Sequence, residues 1–201
     1  MFAAELALPA LITAVLAYLA GSVSAAILVC RAMGLDDPRT AGSGNPGATN
    51  VLRVGGKVPA ALTLLGDGLK GFLPVLITAL ITSHPPTIAL AAIAAFIGHL
   101  YPVFFQFQGG KGVATALGAL LGISLPVGAL ALLTWLAVSL TFKRSSLAAL
   151  VTFVMVPVYL MFDAQQVSAL AFVFIAGFLF YTHRSNISRL IDGSEPVIGK
   201  R

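Results

Sequence analysis

The chain has 201 residues, a formal net charge of +5, 58% hydrophobic residues and only 9% charged ones. Soluble domains carry about 25% charged residues. The composition, with a mean hydropathy of +0.98, therefore excludes an ordinary soluble protein and reads as one polytopic membrane domain, 1–201.

A helix crosses lipid economically because it satisfies its own backbone hydrogen bonds, and it needs about 20 apolar residues to do so. Residues 6–30 supply the first such stretch. It lacks a basic flank and exceeds the about 7–15 apolar residues of a signal peptide, so it reads as a retained span. Cys30, at its end, excludes an internal disulfide and a multi-cysteine metal site and suits plain packing.

The long connection 31–57 contains the polar cassette Gly42-Ser43-Gly44-Asn45-Pro46-Gly47-Ala48-Thr49-Asn50, followed by Arg53. Gly42, Gly44 and Gly47 permit positive φ and close approach to a ligand. Ser43, Asn45, Thr49, Asn50 and Arg53 add hydroxyls, amides and a cation. Ordinary turn chemistry is the competing reading, but the density of these residues favours a binding loop.

Residues 58–82 form the second predicted span and hold Asp67 and Lys70. These are i, i+3 neighbours that can pair. Ionisable residues inside a membrane are candidates for function, and a structural ion pair is an equal alternative. His84-Pro85-Pro86 breaks the apolar run, so the third span is 87–105. It carries His99 near its end, one loop from the second cassette, Gly109-Gly110-Lys111-Gly112. That cassette opens the fourth span, where a helix N-terminus and a lysine together suit an anion. The spacing is not that of a Walker A loop, and no Ser or Thr follows the lysine, which argues against an NTPase.

Residues 112–142 would be about 46 Å long as one helix. Gly122, Pro126 and Gly128 instead suggest two short spans, 112–123 and 126–142. Lys143-Arg144-Ser145-Ser146 then leads into 145–162, with a topology signal and a helix cap as alternatives to a binding role. Asp163 separates this from 166–182, after which come His183, Asn186 and Arg189 at three-residue spacing, on one face of a continuing helix.

Basic residues favour the cytoplasmic side. With seven spans, all twelve Lys and Arg residues fall at one side, from Arg31 to Lys200 and Arg201. A single helix over 112–142 would send six of them, from Lys143 onward, to the other. The expectation is an all-α protein of seven transmembrane helices, some short, with the N-terminus outside and the C-terminus cytoplasmic. Glu5 and Asp163 are then the external charges, and every polar cassette shares the cytoplasmic face.

No His-x-x-x-x-Asp pair, Gly-x-Ser-x-Gly elbow or carboxylate cluster for a metal is present. The chain offers phosphate-binding groups and hydroxyls without an evident nucleophile–base pair. A transporter of phosphorylated metabolites would usually place polar groups at the midplane within repeats. A scaffold binding anionic lipid would not need so dense a Gly/Asn/Ser/Thr cassette.

The two cassettes, with Asp67-Gly68-Leu69-Lys70-Gly71, the run from Gly98-His99 to Phe104-Phe105, and Val113-Ala114-Thr115, resemble the bacterial acyl-phosphate:glycerol-3-phosphate acyltransferases, the PlsY family. The likeness covers essentially the whole chain and is specific in combination. Thr182 departs from the basic residue associated with that position. The resemblance implies acyl transfer from acyl phosphate to the 1-hydroxyl of glycerol 3-phosphate, giving lysophosphatidic acid and phosphate, at the cytoplasmic face of a bacterial inner membrane. It implies no cofactor, metal, nucleic acid or obligate protein partner; membrane lipid is the surrounding. Candidate catalytic residues are Ser43, Asn45, Thr49, Asn50, Lys111 and His183. Arg53, Gly109, Gly110, Gly112, Ser145, Ser146 and Asn186 are candidates for substrate binding, and Asp67, Lys70 and His99 for support. Lys111 is expected at the donor phosphate and Arg53 at the acceptor's.

Overall fold

The computed structural model describes residues 2–198. Lys200 and Arg201, and the side chain of Glu5, which entered the charge argument, lie outside the described residues.

Among the described residues ten α-helices follow one another: α1 (Phe2–Gly21), α2 (Ala25–Ala32), α3 (Ala48–Gly55), α4 (Lys57–Ile81), α5 (Pro85–Leu100), α6 (Val113–Ile123), α7 (Leu125–Phe142), α8 (Ser145–Phe162), α9 (Gln166–Thr182) and α10 (Arg184–Ile191). A 3-10 turn, Val103–Phe105, follows α5. Among the described residues five segments are long and apolar enough to cross a membrane: Ala7–Ala32, Lys57–Ile81, Pro85–Phe105, Leu125–Phe142 and Ser145–Phe162. The pair α9–α10, bent by 64°, passes the same test only when its two helices are taken together. Helix α6 has 11 residues, about 16 Å at 1.5 Å each, which is short of the roughly 30 Å of a hydrocarbon core.

Local chemistry explains the breaks. Pro85 and Pro86 open α5 at positions where no N–H is missed. The Oγ of Ser124 accepts from the Val127 N–H at 3.3 Å and starts α7 one residue after α6 ends. The predicted third span stops being α-helical at Leu100, because Pro102 cannot continue it and restricts Tyr101 before it. The predicted first span divides into α1 and α2 at the Gly21-Ser22-Val23-Ser24 run, where the Ser22 hydroxyl donates back to the Tyr18 carbonyl at 2.8 Å. Helix α3 forms within the long connection, where the sequence reading placed only a loop.

Two helix pairs approach backbone to backbone. A methyl group on Gly71 would strike the Thr115 carbonyl, and one on Gly118 the Gly68 carbonyl, so α4 and α6 lie in close contact. Likewise Gly21 meets the Ala95 carbonyl and Gly98 the Tyr18 carbonyl between α1 and α5. Lipid supplies no hydrophobic drive between helices, and small residues let dispersion contacts replace it. The core between α5, α6, α8 and α9 holds Phe96, Leu120, Phe153, Leu160, Phe172 and Ile175. The outward faces are just as apolar: Leu80 is 78% and Phe162 89% exposed. Cys30 is buried with Ala26, Val51 and Ala60, which ties α3 to α2 and α4.

Candidate functional site

The first cassette is shaped by Asn50. Its Oδ1 accepts from the Ser43 N–H at 2.8 Å, and its Nδ2 donates to the carbonyls of Pro38 and Ala41, each at 2.9 Å. The amide is therefore consumed in closing the loop, and no Asn50 donor remains for an oxyanion. Gly42 and Gly44 have φ of +63° and +72°. Gly47 differs from expectation: it is extended (φ −152°) and caps the N-terminus of α3. Ser43 and Thr49 are exposed, Asn45 and Arg53 half-buried. Asp37 and Arg39 pair at 2.7 Å; the hydrogen bonds from Arg39 hold the Asp37 carboxyl below its ordinary value. Arg39 also donates to the Phe105 carbonyl at 3.5 Å, binding this loop to the turn after α5.

The second cassette lies against the first. A methyl on Gly110 would fall 2.9 Å from the Pro46 carbonyl and clash with His99 Nε2. The Gly110 N–H donates to the His99 carbonyl at 3.2 Å. Gly112, with φ +89°, caps α6 under Phe96 and Leu100. Lys111 thus emerges at a helix N-terminus, where partial positive charge and free N–H groups collect.

Lys111 is half-buried and its Nζ donates to Asn186 Oδ1. Burial lowers its pKa to about 8; Glu195 opposes that shift, and Arg189 and Arg53 add to it. The Lys111 carbonyl also accepts from the Thr182 hydroxyl at 3.4 Å. Asn186 uses its Nδ2 on Glu195 Oε1 at 2.7 Å, and Ser146 donates to the same oxygen at 2.6 Å. Arg189 Nε donates to Glu195 Oε2 at 2.8 Å, and Arg144 to the Glu195 carbonyl at 2.7 Å. Burial pushes the Glu195 carboxyl up, but the hydrogen bonds from Ser146, Asn186 and Arg189 outweigh it and hold the group below its ordinary value.

Glu195 was not among the candidates read from the sequence. It lies in the C-terminal tail beyond Gly193, whose φ of +77° turns the chain back, and the Ile198 N–H then donates to the Lys143 carbonyl at 2.8 Å. The available signal was one of charge balance: Asp192 and Glu195 are the acids of a C-terminal stretch that otherwise carries Arg184, Arg189, Lys200 and Arg201.

His183 sits at the α9–α10 corner, so His183, Asn186 and Arg189 belong to two helix axes rather than one. Its Nδ1 is 2.8 Å from the Leu179 carbonyl. A carbonyl only accepts, so Nδ1 carries the proton and Nε2 presents a lone pair. Burial, then Lys111, lowers the pKa to about 4 against the Leu179 and Glu195 contributions. The imidazole is neutral at pH 7 and is a weak base. Ser145 is half-buried at the start of α8, beside the Ser146 that Glu195 engages.

Asp67, Lys70 and His99 form a separate buried group. Lys70 Nζ lies 2.8 Å from Asp67 Oδ1, as the i, i+3 spacing predicts, and His99 Nδ1 lies 3.6 Å from the same oxygen. Lys70 also donates to the Val23 carbonyl at 2.7 Å, at the break between α1 and α2. Among the described residues no cluster of three His, Cys, Asp or Glu could hold a metal.

The family described as glycerol-3-phosphate acyltransferase matches residues 11–193. The chain is 54% identical to the glycerol-3-phosphate acyltransferase of Methylococcus capsulatus, over 92% of this chain and 94% of that one. It is 55% identical to that of Halorhodospira halophila, over 94% and 96%. This chain belongs to the glycerol-3-phosphate acyltransferase family. The acyltransferase also shares its fold with PlsY, solved as an integral membrane glycerol 3-phosphate acyltransferase in a glycerol 3-phosphate form: TM-score 0.90, 37% identity, 95% of this chain and 96% of that one. A second structure of PlsY, in a lysophosphatidic acid form, gives a TM-score of 0.89 at the same identity and coverage. The acyltransferase is therefore a multi-pass membrane enzyme, and its polar clusters are the candidates for its chemistry.

Proposed function

We propose that this acyltransferase moves a fatty acyl group from acyl phosphate to the 1-hydroxyl of glycerol 3-phosphate, giving lysophosphatidic acid and phosphate. Glycerol 3-phosphate as acceptor and lysophosphatidic acid as product rest on the family and on the two forms in which its solved relative is described. Acyl phosphate as donor rests on the resemblance carried by the cassettes and on the chemistry of the site.

The observation that carries the mechanism is the link between Lys111 and Asn186. It brings the glycine cassette into contact with the α9–α10 corner, which supports a reading with the two phosphates side by side rather than in separate cradles. Lys111 and the N–H groups at the start of α6 hold phosphate charge and stabilise it as it develops on the leaving group. Arg53 completes the cationic rim, Ser145 and Asn186 orient the acceptor, and the exposed Ser43 and Thr49 with Asn45 line the mouth. His183 Nε2 accepts a hydrogen bond from the neighbouring 2-hydroxyl of glycerol 3-phosphate and so aims the 1-hydroxyl, whose own proton faces the donor's phosphate. The hydroxyl oxygen bonds to the carbonyl carbon, the carbonyl–phosphate C–O bond breaks, and the proton passes to a phosphate oxygen of the donor. An activated anhydride held in line with a hydroxyl gains much of its rate from proximity.

An acyl-enzyme is not required. Among the described residues, the side-chain hydroxyl hydrogen-bonded to a histidine ring is that of Thr87, with His84, at the far end of α5. We also propose seven membrane helices, with α6 as the short member, the N-terminus outside and the site at the cytoplasmic face of a bacterial inner membrane. The asymmetry of Lys and Arg supports this orientation.

The test is direct: purified protein in detergent with acyl phosphate and labelled glycerol 3-phosphate yields labelled lysophosphatidic acid. Detergent removes the compartments that transport needs. No product, together with uptake of labelled glycerol 3-phosphate into liposomes, would replace this reading with a transporter. An acyl group trapped on Ser43 or Ser145 would overturn the direct transfer.

A further inference from the structure

The Lys70–Asp67–His99 group is unused by the mechanism, yet it ends at the cassette on which that mechanism depends. His99 is buried, at 6% exposure, near the end of α5. One edge of its ring faces Asp67, with Nδ1 3.6 Å from Oδ1. The other edge faces Gly110: a methyl there would clash with Nε2. The same residue's carbonyl accepts the Gly110 N–H at 3.2 Å, and a methyl on Gly109 would strike that carbonyl and the next. The glycines are thus required because the loop rests on His99, not only because a phosphate must approach.

The rest of the chain of contacts holds the ring in place. Neither Asp67 Oδ1 nor His99 Nδ1 has a hydrogen bond of good geometry, so Asp67 meets Lys70 as an ion pair and the His99 ring as a close contact. Lys70 anchors Asp67 from the α4 side at 2.8 Å and reaches the Val23 carbonyl at 2.7 Å. An uncompensated carboxylate in this position would be costly to bury. Simple pairing of Asp67 with Lys70 would remove that cost without placing a histidine under a glycine loop.

We propose that His99, clamped by Asp67 and Lys70, is a positioning residue: its ring sets the height of the backbone at 109–111 and thereby the reach of the Lys111 ammonium and the adjoining N–H groups toward a substrate phosphate. The kinetic part of this rests on the proposed function; the structural part does not.

Two measurements test it. The first is a steric double-mutant cycle. Gly110→Ala in the native chain raises the KM of one phosphorylated substrate about tenfold and leaves kcat and the other KM within about twofold. In a His99→Ala or His99→Ser background the ring is gone, and the same Gly110→Ala change costs less than about threefold. Equal cost in both backgrounds overturns the proposal, since independent sites add. The second is hydrogen exchange in detergent without substrate. Asp67→Asn, His99→Ala and Gly110→Ala each speed exchange of the amides at 110 and 111 about tenfold or more, while amides of α8 keep their wild-type rates. Unchanged exchange at 110 and 111 also overturns it. Exchange in Gly110→Ala decides the matter if the His99 variants do not fold. If the wild type rejects acyl phosphate, the donor reading fails by itself, and exchange still answers for His99.

Discussion

Lys111 is a cation that burial works against, and the consequence is a pH dependence at a value unusual for lysine. With a pKa of about 8, the ammonium is fully charged below that value and lost as pH rises through it. Log kcat/KM is therefore expected to fall above pH 8 with a slope approaching −1, an alkaline limb that Lys111→Arg moves upward because guanidinium stays charged. Lys111→Ala should lower kcat/KM by about 10²-fold or more, the loss seen when one donor to a developing oxyanion is removed. His183 carries the opposite expectation. A histidine at about 4 that only orients a hydroxyl can be replaced by glutamine, whose Oε1 also accepts, at a cost of about tenfold. A true base would cost roughly 10²–10⁴-fold, and steady-state kinetics of His183→Gln and His183→Ala separate the two.

At the scale of elements, the C-terminal tail is a clasp. Glu195 joins α8 through Ser146 and α10 through Asn186 and Arg189. Removing its carboxylate leaves buried donors unpaired. Glu195→Ala is expected to destabilise by about 2–3 kcal/mol, below the 3–5 of a fully buried pair because the Arg189 side chain is 39% exposed. Thermal unfolding in detergent measures it, and Cys30→Ala serves as the control with activity retained. The α4–α6 contact makes a second claim. Gly118→Leu must push α6 off the Gly68 carbonyl, at a cost of about 1–3 kcal/mol or more. Because Lys111 stands at the start of α6, turnover should fall further than stability alone explains.

Across the whole molecule, topology is the testable quantity. Asp163 lies between α8 and α9, and Arg184 just beyond α9. In a Cys30→Ala background, Asp163→Cys and Arg184→Cys should react with an impermeant thiol reagent from opposite sides, Asp163→Cys from outside intact cells. Reversed labelling, Arg184→Cys from outside and Asp163→Cys from within, would remove the seven-span arrangement and return 112–142 to a single crossing, and reaction of both from one side would remove α9 as a crossing.

The sequence by itself determined what depends on local patterning: the apolar stretches, their proline and glycine breaks, the split at Ser124 and the i, i+3 pairing of Asp67 with Lys70. It also picked out the cassettes, because runs of Gly, Asn, Ser and Lys stand out against an apolar background. Helix α3 escaped because eight residues ending in Gly55 carry too little pattern and are held by packing of Val51 on α2 and α4. Three things only the tertiary structure decided. Asn50 spends its amide on its own loop, Glu195 returns to join the cations, and His99 comes to lie beneath Gly110. Each depends on which buried polar group finds which partner across helices, and a low-dielectric interior enforces that pairing at distances along the chain where sequence periodicity carries no signal.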